Sequence, residues 1–279
     1  MAATQIAENL AYINWTVLAG LALGAYAAVV LLRRRTAATR GYLGFVTACA
    51  VGFGVLAWLS DGALPGTLGG SPVVQDPAFD VPRGAALGAF VALAFVALLV
   101  RRRSAATASW LELAALTAGA LTVVFGALGW GGGALGAAAL LVQLAVLFAA
   151  TGGVFAAMIL GHWYLVTPKL PEAPLILVSR ILLGVMALQV TLFVVWVAVG
   201  AGPASAGPFS ALTGPGALFV WLRLIVGLVF PLIVSWAAVQ TARTRSMESA
   251  TGLLYINVGT IAAGTILAAG LYFGYGLLV

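Results

Sequence analysis

Apolar stretches of about 20 residues, the length a helix needs to cross the hydrocarbon layer of a bilayer, recur eight times along these 279 residues. They run roughly over 10–32, 41–60, 84–100, 109–130, 134–166, 174–200, 216–241 and 249–276. A water-soluble fold is ruled out by charge: 13 Lys+Arg and 7 Asp+Glu make up 7% of the chain, where soluble domains carry about a quarter. With no water in the hydrocarbon to satisfy backbone groups, such runs must be helices. The expected fold is therefore all-α: one polytopic transmembrane domain over 1–279, with the lipid bilayer as its main partner.

The charges order the spans. Arg33, Arg34, Arg35 and Arg40 separate the first and second runs, and Arg101, Arg102 and Arg103 the third and fourth. Lys169 separates the fifth and sixth, and Arg243 with Arg245 the seventh and eighth. All four segments are alternate connections. The positive-inside rule makes their side cytoplasmic and puts both termini on the outer, periplasmic side of the inner membrane. The opposite connections hold Asp61, Asp76 and Asp80 with Arg83 alone. Glu8 precedes the first run, no basic segment comes before it and no small-residue cleavage site follows it, so that run is expected to be retained rather than removed as a signal peptide. With ten of the thirteen basic residues used as loop markers, no basic surface is left for nucleic acid.

Two outer connections are rich in Gly and Pro: 61–83 (DGALPGTLGGSPVVQDPAFDVPR) and 201–215 (AGPASAGPFSALTGP). The first reads as an ordered but non-helical loop, and its length suits a lid or a partner contact. VVLLRRRTAAT at 29–39 echoes ALLVRRRSAAT at 97–107, offset by 68 residues. That is either a parallel repeat of helix pairs or two generic stop-transfer signals.

Much chemistry is excluded by what the chain lacks. One His, one Cys (Cys49) and four Met cannot ligate a bis-histidine haem, an iron–sulfur cluster or a structural zinc. The sole Lys169 lies beside prolines, away from any buried Schiff-base position. No built-in metal cofactor is expected, so a redox cofactor would be diffusible or held by a partner.

Polar residues within spans are functional candidates because burying them in lipid is costly. Glu112, His162 and Arg180 fall within about 4–10 Å of the cytoplasmic boundary at the helical rise. They suit a proton-entry or headgroup site, with His162 titrating near neutrality against Glu112 or Arg180. The bland alternative has Arg180 reaching back to the interface and His162 bonded to a backbone carbonyl. In the outer half, Asn14, Gln143, Gln189 and Arg223 lie at similar depth, and Asp61 caps the second span. Amides and a guanidinium donate to carbonyls while a carboxylate accepts a hydroxyl proton, which suits a quinone, a quinol or a lipid headgroup. Equally, Arg223 would pair with Asp61 or Glu8, the glutamines serving as interhelical glue. Glycines spaced as in GLALG (Gly20, Gly24) point to a tightly packed bundle, and Pro231 to a kink in the seventh span.

The eight-span pattern, the first helix NWTVLAGLALGAYAAVVLL, the turn LSDGALPG, the stretch TGGVFAAMILG and the closing TIAAGTILAAGLYFGYG together resemble one family. It is the membrane-anchor subunits of molybdopterin oxidoreductases, of dimethyl sulfoxide, polysulfide or nitrite reductase type. The resemblance covers nearly the whole chain. It implies menaquinol or another quinone bound near the outer face, at the level of Arg223, Gln189, Gln143 and Asp61, with electrons passed to an iron–sulfur partner. The expected function is a membrane subunit of a larger electron-transfer complex. A secondary transporter or lipid-handling protein, and a non-catalytic structural subunit, are the alternatives.

Overall fold

A computed structural model describes residues 9–66, 70–167 and 169–279; Glu8, a possible partner for Arg223, lies outside them. The described residues form eight helices long and apolar enough to cross a membrane: α1 (Leu10–Arg35), α2 (Arg40–Asp61), α3 (Asp80–Val100), α4 (Ala105–Trp130), α5 (Ala134–Val166), α6 (Ala173–Val199), α7 (Ala217–Arg243) and α8 (Met247–Tyr275). Seven of the eight expected spans match within a few residues. Counted with the 3-10 turn that opens it, the third starts at Pro77, seven residues earlier than expected, so the segment before it is not wholly a loop.

There the Asp76 side chain accepts the Ala78 N–H at 3.0 Å and Pro77 opens a short 3-10 turn, Pro77–Phe79, that runs directly into α3. A capping Asp followed by Pro at the first position is a helix start signal. Pro82 is tolerated because first-turn N–H groups have no partner inside a helix. Arg83 therefore belongs to a helix rather than to a loop.

The helices pack as two groups of four. In the first, α1 to α4 contact their neighbours in order; in the second, α5 to α7 do the same and α8 returns to α5. Contacts of α1 with α5 and α8 join the groups, and α1 and α5 are the most buried helices. Where they cross, a Cβ on Gly24 would sit 1.9 Å from the Phe148 carbonyl oxygen, and one on Gly152 2.1 Å from the Ala25 nitrogen. A side chain at either place would overlap backbone. Only glycine lets two helices approach so closely, and close approach is what drives helix association where no hydrophobic effect operates between helices.

Polar side chains fasten the rest. Thr151 of α5 meets Thr265 of α8 at 2.7 Å, and the Tyr42 hydroxyl on α2 donates to the Ala156 carbonyl on α5 at 2.9 Å. The Tyr272 hydroxyl on α8 donates to the Trp130 carbonyl at the end of α4 at 2.7 Å. At the arginine-rich end, buried Glu112 on α4 pairs with Arg33 at the end of α1 and, at 2.7 Å, with Arg101 just after α3.

Gly24→Ala and Gly152→Ala should each lower stability by about 1–3 kcal/mol or more, the cost of overpacking. Gly44→Ala, where a Cβ meets nothing within 4 Å, should be neutral. Thermal unfolding midpoints of the detergent-solubilised variants check the contrast.

Candidate functional site

The densest polar group sits at the end of the bundle opposite the arginines. Asp61 closes α2, and the Arg83 Nε donates to its Oδ1 at 2.7 Å. The Arg83 Nη1 donates to Asp80 Oδ1 at 2.8 Å. Arg83 is only 2% exposed, whereas the Asp80 side chain is 48% exposed, so the chain of charges runs from the bundle interior to its surface.

The guanidinium carbon of Arg83 lies 4.5 Å from the centroid of the Trp130 ring and 5.9 Å from that of Trp15. Cation–π attraction offsets part of the desolvation of a buried cation. Trp130 packs edge-on to Trp15, Tyr12 and Phe273. The Tyr12 hydroxyl donates to the Pro65 carbonyl and accepts from the Gln75 amide. Together with the Asp76 N–H bonded to the Gly129 carbonyl at 2.8 Å, this draws the connection between α2 and α3 over the ends of α1 and α4. Beside it, the Asn14 amide donates to the Ser60 hydroxyl at 3.2 Å in an exposed position. Asn14 and Asp61 thus belong to one neighbourhood, with Arg83, Tyr12 and Gln75 added to it.

Toward the middle of the bundle, a groove of about 250 Å³ is lined by Leu23, Phe90, Gly119, Val123 and Phe148. Leu23 follows Trp15 by eight residues, about 12 Å along α1. Its walls are almost wholly apolar.

Gln189 and Arg223 form a second group. Arg223 is buried, and its Nη2 donates to Gln189 Oε1 at 2.6 Å. Its Nη1 donates to the Gly227 carbonyl at 3.1 Å, while Nε has no hydrogen-bond partner among the described residues. The reason for the second bond is written in the sequence. Residue 231 is proline and carries no N–H, so the Gly227 carbonyl has no helical donor four residues on. Over Ile225–Val229 the helix widens into a π segment instead of the expected kink, a known way of absorbing such a break. The guanidinium fills the vacancy from within the same helix. Gly227 also meets Gly264 of α8, where a Cβ would lie 2.6 Å from the opposing Cα. Among the described residues Arg223 forms no ion pair, and Asp61 is engaged by Arg83 instead.

Gln143 belongs to a third group: its amide donates to the Val279 carbonyl oxygen at 3.0 Å, and its Oε1 accepts the Trp196 indole N–H at 3.2 Å. The five outer-half candidates are therefore distributed over three hydrogen-bonded groups. At the other end, Glu112 is bonded to Arg33 and Arg101 rather than to His162 or Arg180. His162 is exposed and its Nδ1 lies 3.2 Å from the Tyr255 hydroxyl, and Arg180 is exposed without an ion pair among the described residues.

Sequence reasoning passed over Arg83, Tyr12 and Gln75. One signal was available: Arg83 is the lone base among three acids in 61–83. A buried pair missed in the same way is Asn257 on α8, which donates to Ser235 on α7 at 2.8 Å. Among the described residues no group of three or more His, Cys, Asp or Glu is arranged to hold a metal ion. Hydrogen-bonding groups and aromatic rings are what these sites offer a ligand. No protein-family model matches the chain, and comparison with curated proteins finds no significant relative.

Arg223→Ala strips donors from Gly227 and Gln189, at about 1–3 kcal/mol for each acceptor left bare. Pro231→Ala restores a backbone donor for Gly227, so the double variant should lose measurably less than the sum of the two single losses. A double-mutant cycle on thermal unfolding reads that coupling.

Proposed function

We propose that the chain is a multi-pass protein of the inner (cytoplasmic) membrane, with its arginine-rich end in the cytoplasm and both termini outside. There it serves as the membrane subunit of a larger electron-transfer complex and binds a quinol, such as menaquinol, near the outer face. The orientation rests on the alternation of basic loops. The observation that carries the functional reading is the buried Asp61–Arg83 pair, linked to half-exposed Asp80 and framed by Trp15, Trp130 and Tyr12.

Oxidising a quinol releases two electrons and two protons. Asp61 would accept the two hydroxyl protons in turn, passing each to solvent beside half-exposed Asp80, while Arg83 stays protonated and holds the two carboxylates together. Asn14, in an exposed position, supplies a further polar contact for the ring oxygens, and the groove past Leu23 and Phe90 suits an isoprenoid tail. The electrons would pass to an iron–sulfur partner subunit, as the resemblance to molybdopterin-oxidoreductase anchors implies. In this reading Arg223, Gln189 and Gln143 hold the second helix group together rather than contact the ring.

A second reading, a structural subunit without a ligand, is favoured by one observation: Gln143, Gln189 and both terminal nitrogens of Arg223 already have partners within the protein. The two readings separate cleanly. Gentle solubilisation of the native complex should recover quinone with the chain, and Asp61→Asn should slow quinol oxidation by about 100-fold or more, the scale of a lost general base. Assembly must stay intact in that variant. Absence of quinone together with an unchanged rate would leave the structural reading standing.

A further inference from the structure

A second groove, of about 180 Å³, lies between α1, α5 and α6. It is almost wholly apolar, lined by Gly24, Ala28 and Leu31 of α1, Gly153 of α5, and Ile181 and Val185 of α6. Its α1 wall, from Gly24 to Leu32, is about 12 Å long at the helical rise. That length would take a large part of one fatty-acyl chain. Gly24, one of the glycines that allow α1 and α5 to touch, and Gly153 leave this surface without side chains.

What identifies an occupant is the charge at one mouth of the groove. Residues four and seven apart share a helix face. Arg35 follows Leu31 by four positions, and Arg34 follows Ala27, another lining residue, by seven. Both arginines are exposed, and among the described residues neither forms an ion pair. Glu112 is already shared by Arg33 and Arg101, and Glu172, at the start of α6, lies 3.6 Å from Arg245. Arg180, although on α6, falls on the side of that helix away from Ile181 and Val185, so the α1 pair is the charge that continues the groove.

We propose that this groove is a binding site for an anionic phospholipid of the arginine-side leaflet, its phosphate at Arg34 and Arg35 and one acyl chain along Leu31, Ala28 and Gly24. The complementarity is of two kinds at once: an apolar channel for the chain and uncompensated guanidinium groups for the headgroup. The site is separate from the Asp61 end of the bundle and does not depend on the quinol reading.

The test uses the full chain in mild detergent, delipidated and then offered phosphatidylglycerol or phosphatidylcholine with identical acyl chains, with retained lipid counted by native mass spectrometry. One phosphatidylglycerol should be retained in preference to phosphatidylcholine. Arg34→Gln with Arg35→Gln should weaken its retention by about 30-fold, as expected for two interfacial basic residues. Arg102→Gln with Arg103→Gln, at the neighbouring basic loop, should leave it unchanged. Ile181→Trp, at a partly exposed wall position, should displace both lipids. Equal retention of the two lipids would overturn the proposal. So would indifference to the Arg34/Arg35 or Ile181 changes, or an equal loss in the Arg102/Arg103 variant.

Discussion

The contact of α1 with α5 at Gly24 and Gly152 sets the geometry on which the other features depend. With those two backbones touching, α1 lies at the junction of both helix groups and carries Trp15 and Tyr12 to one end and Arg33 to the other. Moving the helices apart by a methyl group would separate the aromatic cluster from the far helices and widen both apolar grooves. In lipid there is no hydrophobic effect to pull them back together, so close packing and buried hydrogen bonds carry the association.

A second constraint is that every polar group in the hydrocarbon needs a partner. For most buried groups the chain meets it with local solutions, though the Arg223 Nε and the Tyr26 hydroxyl have no hydrogen-bond partner among the described residues. Thr side chains bond back to their own helices, tyrosines reach carbonyls on neighbours, and Arg223 serves a carbonyl that Pro231 cannot. A cation buried among neutral acceptors is unusual, and here its position follows from the proline eight residues later. The polar residues away from the arginine-rich end thus divide into a group that holds helices together and a group, around Asp61 and Arg83, with a path to the surface.

The eight helices were legible because each apolar run is long and the basic loops alternate without exception. Their ends were legible to within a few residues, except at α3, where the Gly- and Pro-rich segment masked an Asp76–Pro77 helix start. The constant helical rise put Gln189 and Arg223 at similar depth, and these two are bonded; Gln143, expected at the same depth, bonds elsewhere, to Trp196 and Val279. Rotation about each helix was not legible. Helices rich in Ala, Gly, Leu and Val all round have no polar face to orient them, so sequence could not say that Arg223 turns toward Gln189, Asp61 toward Arg83, or Glu112 toward Arg33. Those pairings depend on which helices are neighbours, and that is decided by where glycines permit contact.

The Glu112 ion triad bears on how the chain is made. Arg33 and Arg101 occupy equivalent places in the two echoing segments, and both converge on a carboxylate carried by α4. During synthesis α1 and α3 emerge first, each with a basic tail and no acid to receive it. Until α4 follows, those arginines have no Glu112 to pair with. Once α4 arrives, one residue binds both. The basic tails of two separate helices then become a clasp that closes them into a unit, and a single carboxylate on α4 fastens both.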